Sequence, residues 1–410
     1  MKLFPNLGGE EGSRWREMAS QPRVAQMARL WRCLFREGSG WTGLAPIPEA
    51  PTGDWPTDLG PPPSEPAFAW LDALGETVPW LATAESREGM EDPASAAAPS
   101  VEAVARTHDK AFAASFAERE GYTPRPLRGL VEAYAPSELA DPEPWIARLR
   151  TSLSTWPAWT GGRFILKPRF GSSARGRVAG RADALDPEVL GGALPRLVAQ
   201  GGAVLEPWLE RREDLATCLR IAPDGAVEVV GSLRSMTSGS GALQGHRGGV
   251  DSRGRIFSES DFEEPCREAA AALAHAAAEA GLRGPCGVDA LVFEWTDADD
   301  APEPPRQRRT LRPVVELNAR FTAGLVSLGL VRRALPAVRG RIGLEPGVRR
   351  AFLLGLQPPP GGGADPWADA LARAGEGAAL VRLGAAAGAP EAGLLFAASS
   401  ERLDEVLAGG

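Results

Sequence analysis

Two residue types are scarce in this chain, and their few positions mark candidate chemistry. Of 45 basic residues only three are lysines, Lys2, Lys110 and Lys167, and the two asparagines are Asn6 and Asn318. Such usage is expected of a GC-rich coding bias, which depletes both types. Arginine is a wide planar fork and lysine a compact point charge, so a site that needs one does not readily accept the other. We therefore expect the chemistry near Lys110, Lys167 and Asn318.

A glycine- and serine-rich segment follows Lys167. Residues 164–166 predict a short buried strand, which runs into Lys167 and then into Gly171, Ser172 and Ser173. A turn of this composition exposes backbone N–H groups and hydroxyls, which suits phosphate oxygens, with the lysine as a point charge. It is not a Walker motif, because there the lysine follows the glycines. A plain hairpin turn is the alternative for this segment taken alone.

A second candidate segment lies at the end of the next predicted strand. Pro207 lacks an N–H and cannot extend a sheet ladder, so the chain is expected to leave the sheet there. The backbone freed after Glu206 would face an adenine edge, with Trp208 or Leu209 against the ring. The carboxylate of Glu213 would reach ribose hydroxyls. A charged surface turn is the alternative.

Three oxygen-bearing side chains form the third candidate group. Glu316 and Asn318 lie two residues apart on one predicted strand and therefore face the same side, and Asp289 lies on the preceding strand. Oxygen ligands without histidine or cysteine suit Mg²⁺ held jointly with substrate phosphates. A solvated polar face is the alternative, but the apolar neighbours of Glu316 predict a buried strand, where a lone carboxylate is costly.

Composition limits the class of protein. The net charge of −8 and the pI near 5.3 argue against a general nucleic-acid binder. The four cysteines show no CxxC spacing, so neither zinc nor a disulfide framework is expected. No stretch approaches the roughly eighteen apolar residues of a membrane span, and the N-terminus does not resemble a secretory signal. A cytoplasmic protein without nucleic-acid or membrane partners is predicted.

Periodicity and turn residues predict the secondary structure that positions these groups. The Asp224-Gly225 pair predicts a hairpin within 215–234. The glycine-rich stretch 235–250 is expected to be a loop beside the substrate, with His246 and Arg247 as candidate contacts. The other predicted elements are helices within 13–36 and at 101–120, 144–156, 186–200, 264–282 and 400–408, strands at 2–5, 178–181, 203–205, 288–294, 311–317 and 379–383, and an exposed loop at 296–310.

In combination these segments resemble the ATP-grasp superfamily. The resemblance covers roughly residues 101–330 in the family's order, and its hinge segment is similar to that of D-alanine–D-alanine ligases. The matching segments are Asp109-Lys110 with Gly121-Tyr122-Thr123-Pro124, Lys167-Pro168 with Gly171-Ser172-Ser173, Glu206-Pro207-Trp208-Leu209 through Glu213, Gly287-Val288-Asp289, and Glu316-Leu317-Asn318-Ala319-Arg320.

The resemblance implies an α/β fold of the α+β ATP-grasp type, in which two subdomains grip ATP. It places an N-terminal pre-ATP-grasp-like domain at 1–100 and a central subdomain with the phosphate loop at 101–205. A C-terminal subdomain with the metal site follows at 206–340, and an extension at 341–410 packs on the core. Family members often carry an arginine where this chain has Gly287, so Arg320, Arg234 or Arg283 would supply the catalytic cation.

The implied activity is that of an ATP-dependent carboxylate–amine ligase. Such an enzyme would form an amide or peptide bond on a small amino acid or peptide through an acyl phosphate, releasing ADP and phosphate. ATP and one or two Mg²⁺ ions, or Mn²⁺, are the implied cofactors, and a homodimer is left open. A small-molecule kinase on the same fold and a non-catalytic nucleotide-binding protein are the alternatives, and the acceptor is left open among amine, thiol and hydroxyl.

Overall fold

The described chain mixes helices and strands, which confirms the predicted α/β class. The computed structural model describes residues 1–42, 55–88, 99–171, 175–239, 241–297, 306–361 and 363–409. Its α-helices are α1 Trp15–Ala19, α2 Pro22–Arg32, α3 Ala84–Glu88, α4 Val101–Thr107, α5 Lys110–Arg119, α6 Pro142–Ser154, α7 Pro187–Ala199, α8 Glu263–Glu279, α9 Ala323–Val338, α10 Pro366–Ala374 and α11 Ser400–Ala408. Short 3₁₀ helices lie at Gly9–Arg14, Thr57–Leu59, Ala69–Leu74, Arg125–Leu127, Pro136–Leu139, Ala158–Thr160 and Ala182–Ala184.

The strands build three sheets in the described residues. Their order is β2-β1-β3 in the first, β4-β7-β5-β6 in the second, and β13-β12-β8-β9-β10-β14-β16-β15 in the third, where β11 also pairs with β10. The strands are β1 Lys2–Phe4, β2 Gly40–Trp41, β3 Thr77–Pro79, β4 Glu132–Tyr134, β5 Arg163–Pro168, β6 Val178–Arg181, β7 Ala203–Pro207, β8 Glu210–Ile221, β9 Val227–Thr237, β10 Leu243–Asp251, β11 Ile256–Phe257, β12 Gly284–Asp297, β13 Arg306–Asn318, β14 Arg349–Gly355, β15 Ala379–Gly384 and β16 Ala392–Ala397.

The chain divides into two compact units. Unit 1 comprises residues 1–104, 215–287 and 318–410, and unit 2 comprises residues 105–214 and 288–317. This division is coarser than the four segments implied by the family resemblance, which stay a prediction.

Unit 2 contains the antiparallel sheet β4-β7-β5-β6, in which Ile165 pairs with Glu206 and Lys167 with Val204. Helix α7 begins at Asp186, whose carboxylate accepts hydrogen bonds from the N–H groups of Glu188 and Val189. Helices α6 and α7 bury their apolar stripes in a core shared with the strands, and this core includes Tyr134, Trp145, Leu149, Phe164, Leu166, Leu194 and Leu205. Strands β5 and β7, which carry Lys167 and Glu206, therefore pack against a hydrophobic core that fixes their positions.

Unit 1 contains the small parallel sheet around β1 and the strands β9, β10, β11, β14, β15 and β16. Asn6 follows β1 and is fully buried. Its side-chain amide donates to the carbonyl of Leu81 at 2.7 Å and accepts from the N–H of Leu81 at 3.1 Å. One of the two asparagines is therefore retained where both an amide donor and an acceptor are required.

Two predicted elements were wrong, a third was right, and a fourth was wrong in the part that the structure describes. The helix predicted over 101–120 breaks at His108 and Asp109, where Asp109 caps the start of α5. The stretch 235–250 is mostly strand, since β9 and β10 pair antiparallel and are joined by a short turn. The hairpin at Asp224-Gly225 is confirmed, with Gly225 at φ 91°. In the stretch 296–310, which was predicted to be a loop, residues 296–297 belong to β12 and residues 306–310 belong to β13. Residues 298–305 lie outside the described residues.

Within the described ranges, no helix combines the length and the apolarity that a membrane crossing requires. All four cysteines are buried thiols. The cytoplasmic location, the lack of nucleic-acid partners and the oligomeric state stay predictions.

Candidate functional site

Local contacts in unit 2 fix the position of Lys110. The Asp109 carboxylate accepts from the N–H of Ala111 at 2.8 Å and so caps α5. The same carboxylate accepts from Arg169 Nε at 3.0 Å and pairs with Arg169 Nη2. The N–H of Lys110 in turn donates to the carbonyl of Arg169 at 3.2 Å. The first turn of α5 is thus tied to the end of β5, which carries Lys167.

The ammonium of Lys110 lies against an acidic partner. Lys110 Nζ is 3.1 Å from Glu316 Oε2 and donates to the carbonyl of Gly171 at 2.7 Å. Burial would raise the pKa of Glu316, but the charges of Lys110 and then Lys167 outweigh burial and hold that pKa well below its usual range. His108 adds to this lowering. Glu316 is therefore an ionised carboxylate that pairs with Lys110 and is further stabilised by the charge of Lys167.

A second ion pair surrounds Lys167. Lys167 Nζ pairs with Glu206 Oε1, and Arg312 Nη1 donates to Glu206 Oε2 at 2.9 Å. Glu206 and Arg312 are each 5% exposed. Burial alone would raise the pKa of Glu206, but Arg312 and then Lys167 lower it to about 2. The buried Glu206 carboxylate is therefore ionised, and each of its two oxygens is bound by a cationic side chain.

Sequence analysis missed two arginines of this cluster. Arg312 lies four residues before Glu316 on β13, and residues separated by an even number along a strand share a face. Its spacing from Glu316 was therefore an available signal. Arg169 had none, because its pairing with Asp109 joins segments that are distant in sequence.

The segment Glu206–Leu209 was expected to leave its backbone free for an adenine edge, and the structure differs from this at Trp208. Pro207 is the last residue of β7, as expected, and it still lies opposite Phe164 in the β5–β7 register. The N–H of Trp208 donates to the carbonyl of Arg163 at 3.0 Å, so it serves the sheet and is not freed. The guanidinium carbons of Arg163 and Arg177 each lie 5.5 Å from the centre of the Trp208 ring. Trp208 is thus flanked by cations in the described structure.

Leu209 and Glu213 lie further along the same segment. Leu209 is 8% exposed and packs in an apolar cluster with Leu127, Leu291 and Phe293. Glu213 forms an ion pair with Arg309 on β13. The predicted roles of Leu209 at the adenine ring and of Glu213 at the ribose stay predictions.

Asn318 belongs to unit 1, at the end of β13. Its side-chain oxygen accepts from Arg320 Nη2 at 3.1 Å, and Arg320 Nη1 donates to the carbonyl of Phe321 at 2.9 Å. Arg320 Nε lies 2.6 Å from Glu10 Oε1, and the Glu10 side chain is 1% exposed. The amide of Asn318 is therefore oriented by an arginine that is itself held by a buried carboxylate.

The other candidate cations have mainly structural contacts. Arg234 donates to the carbonyls of Ser258, at 3.1 Å, and Glu259. Arg283 donates to the carbonyls of Ala278 and Leu282 at the end of α8, which suits a helix C-terminus. At Gly287 an added Cβ would lie 2.9 Å from the Thr322 methyl, so no arginine fits there without a shift. Arg320 differs in that it contacts the side chain of Asn318.

The proposed metal ligands were tested by their donor chemistry. Asp289 lies on β12 and Glu316 on β13, which are neighbouring strands, and Asn318 ends β13. Asp289 and Glu316 are carboxylates of unit 2 and Asn318 is an amide of unit 1, and oxygen donors of these kinds suit Mg²⁺. Within the described ranges there is no group of three or more His, Cys, Asp or Glu side chains able to hold a metal. Ser172 and Ser173 lie outside the described residues.

His246 and Arg247 are not loop residues. His246 is 4% exposed on β10, and its Nδ1 lies 2.9 Å from the Ser327 hydroxyl. Arg247 pairs with Asp404 of α11. The prediction that these two residues lie in a loop is therefore wrong, because both lie on strand β10.

No protein-family model matches this chain, and no curated protein matches it in sequence. Among solved structures, the chain is similar to a biotin carboxylase from Campylobacter jejuni, with a TM-score of 0.46 and 14% identity over 98% of this chain and 89% of that one. It is also similar to N5-carboxyaminoimidazole ribonucleotide synthetase from Thermus thermophilus, with a TM-score of 0.44 and 16% identity over 100% and 97% of the two chains. The corresponding Aspergillus clavatus synthase gives a TM-score of 0.44 and 16% identity over 80% and 81%.

Proposed function

We propose that this chain is an ATP-dependent carboxylate–amine ligase of the ATP-grasp type. The observation that carries the proposal is the cluster of Lys110, Lys167, Glu206 and Glu316 in unit 2. Lys110 and Lys167 are two of the three lysines in the chain and lie far apart in the sequence. The charges of both lower the pKa of Glu316. A purely structural ion pair would accept arginine, which this chain uses almost everywhere else. Two lysines, each paired with a carboxylate of this cluster, therefore favour a site for phosphates.

In this proposal the two lysines hold ATP phosphates as compact charges. The contact with Gly171 and the pair with Glu316 orient Lys110, while the pair with Glu206 orients Lys167. Asp289, Glu316 and Asn318 would hold Mg²⁺, or Mn²⁺. The metal would neutralise charge on the phosphate oxygens when bound. Leu209 and its apolar cluster are the proposed wall for the adenine ring.

The proposed reaction needs no side-chain nucleophile. The acid's carboxylate oxygen attacks the γ-phosphorus, the bond to the β-phosphate oxygen breaks, and ADP leaves. The amine nitrogen then attacks the acyl-phosphate carbonyl, and phosphate departs as the amide forms, with loss of a proton. Such steps depend mostly on positioning and charge neutralisation. Arg320 is the proposed oxyanion donor because it contacts Asn318, whereas Arg234 binds backbone carbonyls.

The test is a phosphate-release screen with amino acids and short peptides offered as acids and as amines. Release of ADP and phosphate that requires both an acid and an amine supports the ligase. A phosphorylated product formed without an amine would instead identify a small-molecule kinase. ATP binding without turnover on any pair would favour a non-catalytic nucleotide-binding protein.

A further inference from the structure

Arg312 is a buried cation of unit 2 that the proposed reaction does not use. Its side chain and that of Glu206 are each 6% exposed. Arg312 Nη1 donates to Glu206 Oε2 at 2.9 Å, while Lys167 Nζ pairs with Glu206 Oε1. One buried carboxylate therefore has two cations, one on each oxygen. Lys167 by itself would neutralise Glu206, so the second cation exceeds what neutralisation requires.

The register of the sheet builds the first of these two pairs. In the β5–β7 ladder Glu206 lies opposite Ile165, and Lys167 lies two residues further along β5. Residues two apart on a strand share a face, so Lys167 and Glu206 are diagonal neighbours, within reach of a long side chain. The intervening Leu166 and the preceding Leu205 belong to the hydrophobic core of unit 2. The packed sheet therefore holds Lys167 close to Glu206.

Arg312 reaches the same carboxylate from a distant part of the chain. It lies on β13 four residues before Glu316, which pairs with Lys110 at 3.1 Å. The five charged groups Lys110, Lys167, Arg312, Glu206 and Glu316 thus contain three cations and two carboxylates, a net charge of +1. Without Arg312 the charges of the other four would cancel. Arg312 therefore supplies the positive charge that the lysines do not share with a carboxylate.

A phosphate ligand places two demands on Lys167. To hold phosphate oxygens, its ammonium must turn away from Glu206. If Lys167 were the only partner, this movement would leave a buried carboxylate unpaired, which is strongly unfavourable. With Arg312 on the second oxygen, Glu206 keeps a partner when Lys167 turns away. Arginine suits this place, because a guanidinium stays charged when buried, whereas the ammonium of a buried lysine loses its charge more readily.

We propose that Arg312 is a positioning residue for nucleotide binding: it keeps Glu206 paired and thereby allows Lys167 to exchange that carboxylate for the phosphates of ATP. The inference rests on the proposed function, which assigns Lys167 to the phosphates. Arg312 acts through Glu206 and does not itself contact the nucleotide. Without Arg312, Glu206 retains Lys167, and ATP binds more weakly.

The first experiment measures the binding of ATP with Mg²⁺ to the full chain by calorimetry, with neither acid nor amine present. Arg312→Met should weaken binding by about tenfold, because Lys167 is then the last partner of a buried carboxylate. Adding Glu206→Gln to Arg312→Met should restore most of the affinity, because the charge that retains Lys167 is gone. If Arg312→Met does not fold, the uncharged but polar Arg312→Gln takes its place with the same expectations.

Two outcomes of this cycle would overturn the proposal. Parental affinity in Arg312→Met would show that Lys167 does not need a second cation on Glu206. A double variant as weak as Arg312→Met would show that Arg312 binds the nucleotide directly or only supports the fold.

The matched control is an ion pair on the surface of unit 2. Arg148 Nη1 lies 2.7 Å from Glu138 Oε1, and both side chains are exposed. Arg148→Met, alone and together with Glu138→Gln, should keep the parental affinity for ATP. An equal loss of affinity in Arg148→Met and Arg312→Met would trace the effect to general charge or stability and would overturn the role of Arg312.

The second experiment observes Lys167 directly. Because the chain has three lysines, a carbon-13 label at lysine Cε gives three signals, and Lys167→Arg assigns the one that matters. Saturating ATP should shift the Lys167 signal in the parental chain and in the double variant, but much less in Arg312→Met. A full shift in Arg312→Met would mean that Lys167 leaves Glu206 without help and would overturn the proposal.

The two proposals fail in distinguishable ways, because ATP binding is measured without turnover. The expected binding cycle, without phosphate release on any acid–amine pair, would refute the ligase and keep the role of Arg312. Phosphate release that requires both an acid and an amine, with parental ATP affinity in Arg312→Met, would keep the ligase and refute the role of Arg312.

Discussion

Lys110 Nζ lies 3.1 Å from Glu316 Oε2, although a helix start carries one residue and a distant strand the other. Lys167 and Arg312 hold Glu206 in the same unit. Each lysine is therefore matched to a carboxylate before any phosphate arrives. This arrangement positions the ammonium groups, and their substitution can be compared with the same substitution at Lys2.

Lys110→Arg should damage catalysis although it keeps the charge. The wider guanidinium cannot occupy the place of an ammonium between Gly171 and Glu316 without displacing one of them. A small misplacement of reacting groups can cost about a hundredfold in rate, so kcat/KM for ATP should fall on that order. Lys2→Arg, on the exposed side of β1, is the matched control and should be near parental. Equal values in both variants would mean that lysine rarity reflects codon bias alone.

Glu316→Gln should weaken the binding of Mg²⁺ by removing a charged oxygen ligand. Saturation should require a higher Mg²⁺ concentration, and kcat should fall. Glu294→Gln is the control, since Glu294 lies on β12 in a surface pair with Arg212. A parental Mg²⁺ titration in Glu316→Gln would remove Glu316 from the metal ligands.

The two asparagines should respond differently to the same change. Asn6→Asp replaces the buried donor to the Leu81 carbonyl, so it should lower stability by about 1–3 kcal/mol. Asn318→Asp keeps the oxygen that accepts from Arg320, so the melting temperature should hold while turnover falls. Thermal melts and kcat of both variants check this. A loss of stability in Asn318→Asp with full activity would assign Asn318 to the fold alone.

Glu206 should make unfolding sensitive to acid. Its pKa is about 2 in the folded chain and 4.5 when unperturbed, so its contribution is complete above pH 4.5. The contribution is lost as the pH falls toward 2, because the unfolded chain takes up the proton first. Glu206→Gln should therefore flatten the fall of the melting temperature between pH 4.5 and 2.5. An unchanged slope would contradict the buried ion pair.

His246 should make the stability of the fold depend on pH at higher pH values than Glu206 does. Burial lowers its pKa to about 4 from 6.5, so the neutral ring is favoured in the folded state. Stability is complete above pH 6.5 and declines as the pH falls, by roughly 2 kcal/mol at pH 5. His246→Gln should reduce the loss of melting temperature between pH 7 and 5. His275, exposed on α8, is the control, and His275→Gln should keep the parental slope.

The sequence alone determined features that depend on neighbouring residues. Asp224-Gly225 predicted its hairpin because glycine permits the positive φ that the turn needs. The apolar strand around Phe164 and the end of α5 near Gly121 were likewise local signals. The scarcity of lysine drew attention to Lys110 and Lys167, because the preference for arginine over lysine can be read from the sequence alone. The same pattern could not say what each lysine contacts.

Only the tertiary structure decided the partners. The break at His108 and Asp109 was hidden from helical periodicity, because its cause is a carboxylate that caps α5 and also binds Arg169 from another segment. The pairing of Glu206 with Arg312 and of Glu10 with Arg320 joins residues that no local rule connects. Long-range ion pairs depend on how strands and helices are brought together. They therefore follow from packing and are absent from sequence periodicity.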